Sequence, residues 1–169
     1  MSAVALLVGA ACARGPASSV DLVREFARAD RRGAADAMRV DVASAAGDAR
    51  TAVIIRATAR VVWRLQFPNR VRLRTAVALV PDAAGALGPG VNARVGISDG
   101  RLYETLRQVK LDAGGGSPPA WMPIDVDLAG YSGRQWSVFY RPSRITWDFI
   151  LAADGAPGGT IAWAQPVIE

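Results

Sequence analysis

Ala59-Arg60-Val61-Val62-Trp63-Arg64-Leu65-Gln66-Phe67 sets Val61, Trp63, Leu65 and Phe67 on one side of an extended chain, with Arg60, Val62, Arg64 and Gln66 on the other. A period of two places apolar bulk on a single face only in a strand; a helix would scatter it. Pro68-Asn69 closes the segment, and residues 71–80 repeat the device. There Val71, Leu73, Thr75, Val77 and Leu79 face inward while Arg72 and Arg74 face water.

The same reading extends in both directions. Residues 38–43 alternate Met38, Val40 and Val42 against Arg39 and Asp41, and residues 51–57 form a β-branched run. Residues 91–97 resume the alternation through Ala93 and Val95, and Ser98-Asp99-Gly100 is a turn, because Asp accepts backbone N–H bonds and Gly tolerates positive φ. Residues 121–128 alternate Met122, Ile124, Val126 and Leu128 against Pro123, Asp125 and Asp127. In residues 135–141, Trp136, Val138 and Tyr140 oppose Gln135, Ser137, Phe139 and Arg141, and Ile145, Trp147, Phe149 and Leu151 make the inward face of the following strand. Trp63, Trp136, Trp147 and Phe149 are expected in the core.

Two segments stay open. Residues 19–29 fit either a short helix or a first strand. Residues 101–111 space Leu102, Leu106 and Val109 like a helix, yet Tyr103, Thr105, Arg107 and Val109 also alternate, and the sheet context favours a strand for the second half. Nine or ten strands result, with no long amphipathic helix between any two of them. The expectation is an all-β fold, an antiparallel β-sandwich of two sheets, over residues 19–169.

The composition restricts the chemistry. The 169 residues contain no His and a single Cys, so metal clusters and Ser/His or Cys/His nucleophile systems have little to be built from. The hydrophobic share of 51% is ample for a core without disulfides, and 17 Gly and 10 Pro suit strands joined by tight turns. The net charge of +5 comes almost wholly from scattered arginines, Lys110 being the one lysine, so no basic stripe marks a nucleic-acid partner. Gly96-Ile97-Ser98-Asp99-Gly100 has the G-x-S-x-G spacing, but the chain holds no histidine to activate the serine. The Gly114-Gly115-Gly116-Ser117-Pro118-Pro119 run is a loop without the Lys-Ser/Thr of a phosphate loop. Asp125 and Asp127 share a strand face about 6–7 Å apart, and read as solvated surface charge. A non-catalytic domain is expected.

Residues 1–13, MSAVALLVGAACA, are too short to span a bilayer as a helix but have the length of a signal h-region. Gly9-Ala10-Ala11-Cys12 is similar to the bacterial lipobox, with Gly9 where leucine is usual and no basic residue ahead of the apolar run. Three readings stand here: lipidation at Cys12, cleavage after Ala11 or Ala13, or a buried first segment. The first two make residues 1–18 a signal and link, and put the domain outside the cytoplasm, at the cell envelope or secreted. The membrane is then met only through the N-terminal anchor.

The stretch from Trp121 to Val138, WMPIDVDLAGYSGRQWSV, resembles the signature W-x-P-x-x-V-D-L-x-x-Y-x-G of galactose-binding-like jelly-roll domains, carbohydrate-binding modules among them. Residues 161–168, IAWAQPVI, are similar to the closing strand of that family, with Gln165 at its polar position, and residues 90–100 to the strand and turn before the signature. The resemblance implies a jelly roll that binds carbohydrate, or one that serves as a structural or protein-interaction domain with no small-molecule ligand. The implied partner is accordingly a glycan or an envelope protein. It also implies a structural Ca²⁺ where the first and last strands meet, for which Asp21 or Glu25 and Glu169 are the available carboxylates and Gln165 a neutral, weaker ligand; no other cofactor is expected.

A sugar site needs an aromatic platform for the apolar side of a pyranose and fork-like donors for its hydroxyls. Loops at one rim of the sandwich supply Trp121, Tyr131 and Arg134 from the signature, with Tyr140, Arg141 and Arg144 around the turn at Pro142-Ser143. The bland reading competes at each position: Trp121 plugs the end of the sandwich and Tyr131 packs a turn.

Overall fold

Alternation becomes two stacked antiparallel sheets in the computed structural model, which describes residues 19–67, 71–82, 85–112, 120–132 and 146–169. Eleven strands lie among these residues: β1 (Val20–Asp21), β2 (Asp30–Arg32), β3 (Met38–Ala45), β4 (Asp48–Arg56), β5 (Ala59–Leu65), β6 (Arg72–Leu79), β7 (Val91–Ser98), β8 (Tyr103–Leu111), β9 (Met122–Asp127), β10 (Trp147–Gly155) and β11 (Thr160–Ile168). The first sheet runs β3-β4-β11-β6-β9, with β1 added against β11, and the second runs β2-β5-β10-β7-β8. Every pairing among them is antiparallel.

The inward rows are those the period of two picks out. Val61 and Trp63 of β5 meet Leu151 and Phe149 of β10 in register, and Trp163 of β11 sits between Val53 of β4 and Val77 of β6. Trp63, Trp163, Phe149, Leu73, Ile55, Ile161 and Ile168 are fully buried in one continuous core, and Trp147 is buried at the end of β10. Trp63 and Phe149 lie 6.5 Å apart, tilted by 47°, a geometry aromatic pairs favour over flat stacking. Trp136 falls outside the described residues.

The structure corrects the facing of residues on β3 and β8 and resolves residues 19–29. On β3, Val40 and Val42 do point to the core side, opposite Val53 and Thr51, but they are 37% and 64% exposed, while Ala43 on the other phase is buried. β3 is an edge strand whose inner face reaches past the second sheet, whereas its outer face is covered: Ala43 joins Ala52, Ile54, Val80 and Ala162 beneath Trp121. On β8 the strand begins at Tyr103, and a bulge takes Val95 opposite Arg107 but Gly96 opposite Thr105, leaving Leu106 as the extra residue. The bulge reverses the alternation, so Leu106, Val109 and Leu111 face the core and Tyr103 faces out. This accounts for the three-residue spacing of Leu106 and Val109, whereas Leu102, ahead of the strand, is 77% exposed. Residues 19–29 combine the two open readings, the short β1 followed by a 3-10 turn at Arg24–Arg28.

The turn after β7 forms as its residues dictate. The Asp99 carboxylate accepts the N–H of Leu102 and of Arg101, both at 2.8 Å, and these bonds hold its carboxyl below the ordinary value of 3.8. A carboxyl depressed on folding stabilises the fold above its unfolded pKa and ceases to do so as pH falls through the folded value. Thermal melts of the native chain and Asp99→Ala should therefore differ most above about pH 4 and converge as the pH falls below it. A gap that stays constant over that range would contradict this.

Candidate functional site

Of the six rim residues expected from sequence, the two that are described, Trp121 and Tyr131, do not come together. Trp121 precedes β9 and Tyr131 follows it, so the two stand at opposite ends of the sandwich, about 20 Å apart at the rise of an extended chain. Arg134, Tyr140, Arg141 and Arg144 lie outside the described residues, as does Cys12.

Trp121 is half-buried on the outer face of the first sheet. Its indole N–H donates to the Asp48 carbonyl at 2.9 Å, and the Arg50 guanidinium stands 5.4 Å from its ring centre. The ring thereby lids the small alanine-rich cluster. Tyr131 sits in a 3-10 turn, Ala129–Tyr131, that the Asp127 carboxylate opens by accepting the Ala129 N–H at 2.8 Å. Its ring meets Trp147 edge-on at 5.3 Å, and the Trp147 indole donates to the Tyr131 carbonyl at 3.0 Å. Asp125, the other carboxylate of the strand, pairs with Arg72 at 2.8 Å and raises that guanidinium's pKa. The two aspartates are therefore committed to separate structural tasks.

The outer face of the second sheet carries an arrangement the sequence reading did not find. Gly96 of β7 points outward there, and the Tyr103 side chain lies over it in contact so close that a Cβ at Gly96 would collide with the tyrosine ring and hydroxyl. The Arg94 guanidinium stands 5.2 Å from the Tyr103 ring centre and reaches Asp154 of β10 at 3.0 Å. Val62, Ile150 and Ala152 form a buried apolar patch on the same face. Asn92 of β7 shares the face beside Asp154, and Gln108 of β8 beside Arg94. Tyr103 stays 45% exposed, so ring surface remains available next to a guanidinium, a carboxylate and two amides. One sequence signal pointed here: a lone glycine inside a strand marks a bulge or the close approach of another group.

The region to which the resemblance assigns Ca²⁺ has a donor set that does not fit a hard cation. Asp21 accepts the Val23 N–H at 2.9 Å and pairs with Arg24 at 3.4 Å, Glu169 pairs with Arg74 at 2.8 Å, and Glu25 pairs with Arg28 at 3.0 Å. Guanidinium groups hold each carboxylate, and converging, uncommitted oxygens are what Ca²⁺ requires. Among the described residues no group of three or more His, Cys, Asp or Glu side chains is placed to hold a metal ion. Asp21, Arg24, Arg74, Gln165 and Glu169 line, with Val23, Thr51 and Val167, an open cleft of about 610 Å³.

Against solved structures, the chain superposes on the module TmCBM61 in complex with β-1,4-galactotriose with a TM-score of 0.54, covering 88% of this chain and 93% of that one at 14% identity. This is the fold of carbohydrate-binding modules. The CBM51 domain of a Clostridium perfringens GH95 protein, in complex with methyl-galactose, superposes at 0.55 over 90% of this chain and all of its own, at 12% identity. The CBM51-2 and INT domains of ZmpB from Clostridium perfringens superpose at 0.57 over 89% of this chain and 31% of that one, at 14% identity. The jelly-roll sandwich expected from the Trp121 signature is thus the fold observed. No family model matches the sequence. A curated tRNA dimethylallyltransferase from Mycolicibacterium vanbaalenii is 40% identical over 105 residues, which are 62% of this chain; the match spans 32% of that protein's length.

Proposed function

We propose that the domain is a non-catalytic carbohydrate-binding module and that its glycan contact is the outer face of the second sheet, centred on Tyr103. The observation that carries this reading is the placement of Tyr103 over Gly96 beside Arg94 and Asp154. A pyranose presents an apolar C–H face and a rim of hydroxyls, so it is matched by an aromatic surface flanked by donors and acceptors. The Arg94–Asp154 pair fixes the guanidinium in place, which lowers the ordering cost of binding. The fold it shares with modules crystallised with galactotriose and methyl-galactose supports the same reading. Nucleotide or diphosphate chemistry, which the partial likeness to a tRNA dimethylallyltransferase raises, has no Lys-Ser/Thr after the Gly114–Gly116 run to rest on.

Retention of residues 19–169 on a panel of immobilised polysaccharides, galactans, xylans, mannans and glucans among them, tests the reading. Retention on at least one, competed by the matching soluble oligosaccharide, is expected, and its absence across the panel would overturn it. The second reading, an interaction domain without a glycan, draws on Val42 at the β3 edge and Met122 at the start of β9, both apolar and exposed.

The same proposal places the module at the cell envelope through Cys12, the cysteine of the lipobox-like segment. A single acyl chain anchors only marginally, so further acylation would be needed for firm attachment. Labelled palmitate should enter the native chain in a bacterial host and be lost from Cys12→Ser. Equal labelling of the two would remove the anchor from the account.

A further inference from the structure

We propose that the open cleft in the first sheet, where β11 exchanges β4 for β1 as its neighbour, is a second ligand site that takes the hydroxyl rim of an uncharged saccharide. The proposal rests on the reading of the domain as a glycan binder, but concerns the other sheet of the sandwich.

The cleft follows from the strand pattern. β4 pairs with β11 as far as Ala52–Ala164, and β1 takes over at Asp21–Val167, so a gap opens along β11 between them. The register of β11 against β6 shifts at the same point, across Gln165 and Pro166. Proline has no N–H to give to a ladder, and Gln165 takes up a left-handed backbone with φ of 42°. The freed Pro166 carbonyl accepts the Leu22 N–H at 3.0 Å, which seats β1 beyond the gap. A left-handed conformation in a non-glycine residue is held against a local cost, and such positions gather at ligand sites.

The chemistry of the lining selects the ligand. Asp21 and Glu169 balance Arg24 and Arg74, so the cleft carries no net charge and offers an ion no advantage over water. Arg24 meets Asp21 through Nε, Arg74 meets Glu169 through Nη1 and Asp125 through Nε, and their side chains, 86% and 62% exposed, leave the remaining guanidinium N–H groups open to solvent. The Thr51 hydroxyl and the Gln165 amide make no hydrogen bond to any described residue. Val23 and Val167 supply apolar contact. Alternating donors and acceptors above an aliphatic floor suit vicinal hydroxyls and C–H groups, and the ion pairs make the same carboxylates unsuited to a divalent cation.

Gln165→Gly provides a clean test, because glycine adopts positive φ without strain while the amide is lost. Amide NMR spectra of the domain would be titrated with methyl-galactose, β-1,4-galactotriose and a panel of neutral gluco-, xylo-, manno- and N-acetylglucosamine oligosaccharides. Residues Thr51, Arg74, Gln165 and Val167 are expected to shift as one group with a single affinity. That affinity should fall at least fivefold in Gln165→Gly and in Arg24→Ala, with the thermal midpoint of Gln165→Gly unchanged or raised. It should survive in Tyr103→Ala. A cleft that stays silent while the Tyr103 face responds would overturn this inference and leave the proposed function standing; silence at both would overturn both. Shifts in the cleft caused by CaCl₂ alone, or a cleft affinity unaffected by either cleft substitution, would also overturn it.

Discussion

Trp163→Ala is expected to cost about 3–5 kcal/mol of folding free energy, the range for truncating a large buried aromatic side chain. Trp163 is fully buried on β11, the central strand of the first sheet, between Val53 and Val77. Alanine would leave a cavity in the middle of the core, where strands paired on both sides cannot close over it. For a domain of this length the loss corresponds to a fall in Tm of roughly 6–20 °C. Val42→Ala gives the contrast. Sequence alternation alone puts Val42 in the same class of inward apolar residues, yet it is 64% exposed at the edge of the sheet, and its truncation should stay within about 0.5 kcal/mol. Chemical denaturation of the two variants measures both; a Val42→Ala loss comparable to that of Trp163→Ala would mean that β3 is covered by the second sheet.

The second large effect is on binding. Covering about half of the Tyr103 ring with a sugar removes on the order of 60–80 Å² of apolar surface, worth about 1.5–2 kcal/mol. Tyr103→Ala should then weaken glycan retention roughly 10–30-fold, without loss of the fold, because the side chain lies outside the core. Gly96→Ala reaches the same end by another route. Its Cβ collides with the far end of the Tyr103 side chain rather than with backbone, so the ring is displaced while the strand pairing of β7 remains. Matched losses in the two variants would tie the effect to the ring's position over Gly96. A Gly96→Ala protein that binds as well as the native one would separate the site from that geometry.

The parts of the fold legible in sequence are those where burial follows the two-residue period. Val61, Trp63, Phe149 and Leu151 lie on strands flanked on both sides, so their inward phase and their burial coincide. Val40 and Val42 have the phase without the burial, because what covers an edge strand depends on a distant residue: Trp121 caps the outer side of β3 and β4 from across the sheet. Tyr103 escaped because one inserted residue, Leu106, reverses its face, and alternation carries no sign of an insertion. The cleft was half legible. Pro166 inside a strand paired on both sides foretells a break in the ladder, but that the break faces β1 and gathers Arg24 and Arg74 depends on pairings 70 or more residues apart in some cases. For the calcium that the resemblance implies, the carboxylates were legible in sequence but their pairing was not: neighbouring guanidinium groups already hold them.

The most direct test of a glycan platform at Tyr103 is intermolecular NOE spectroscopy on the domain with the best-retained oligosaccharide from the panel. The account predicts NOEs from sugar C–H protons to the Tyr103 ring protons. A bound oligosaccharide whose NOEs run to other aromatic side chains, with Tyr103 showing none, would contradict it.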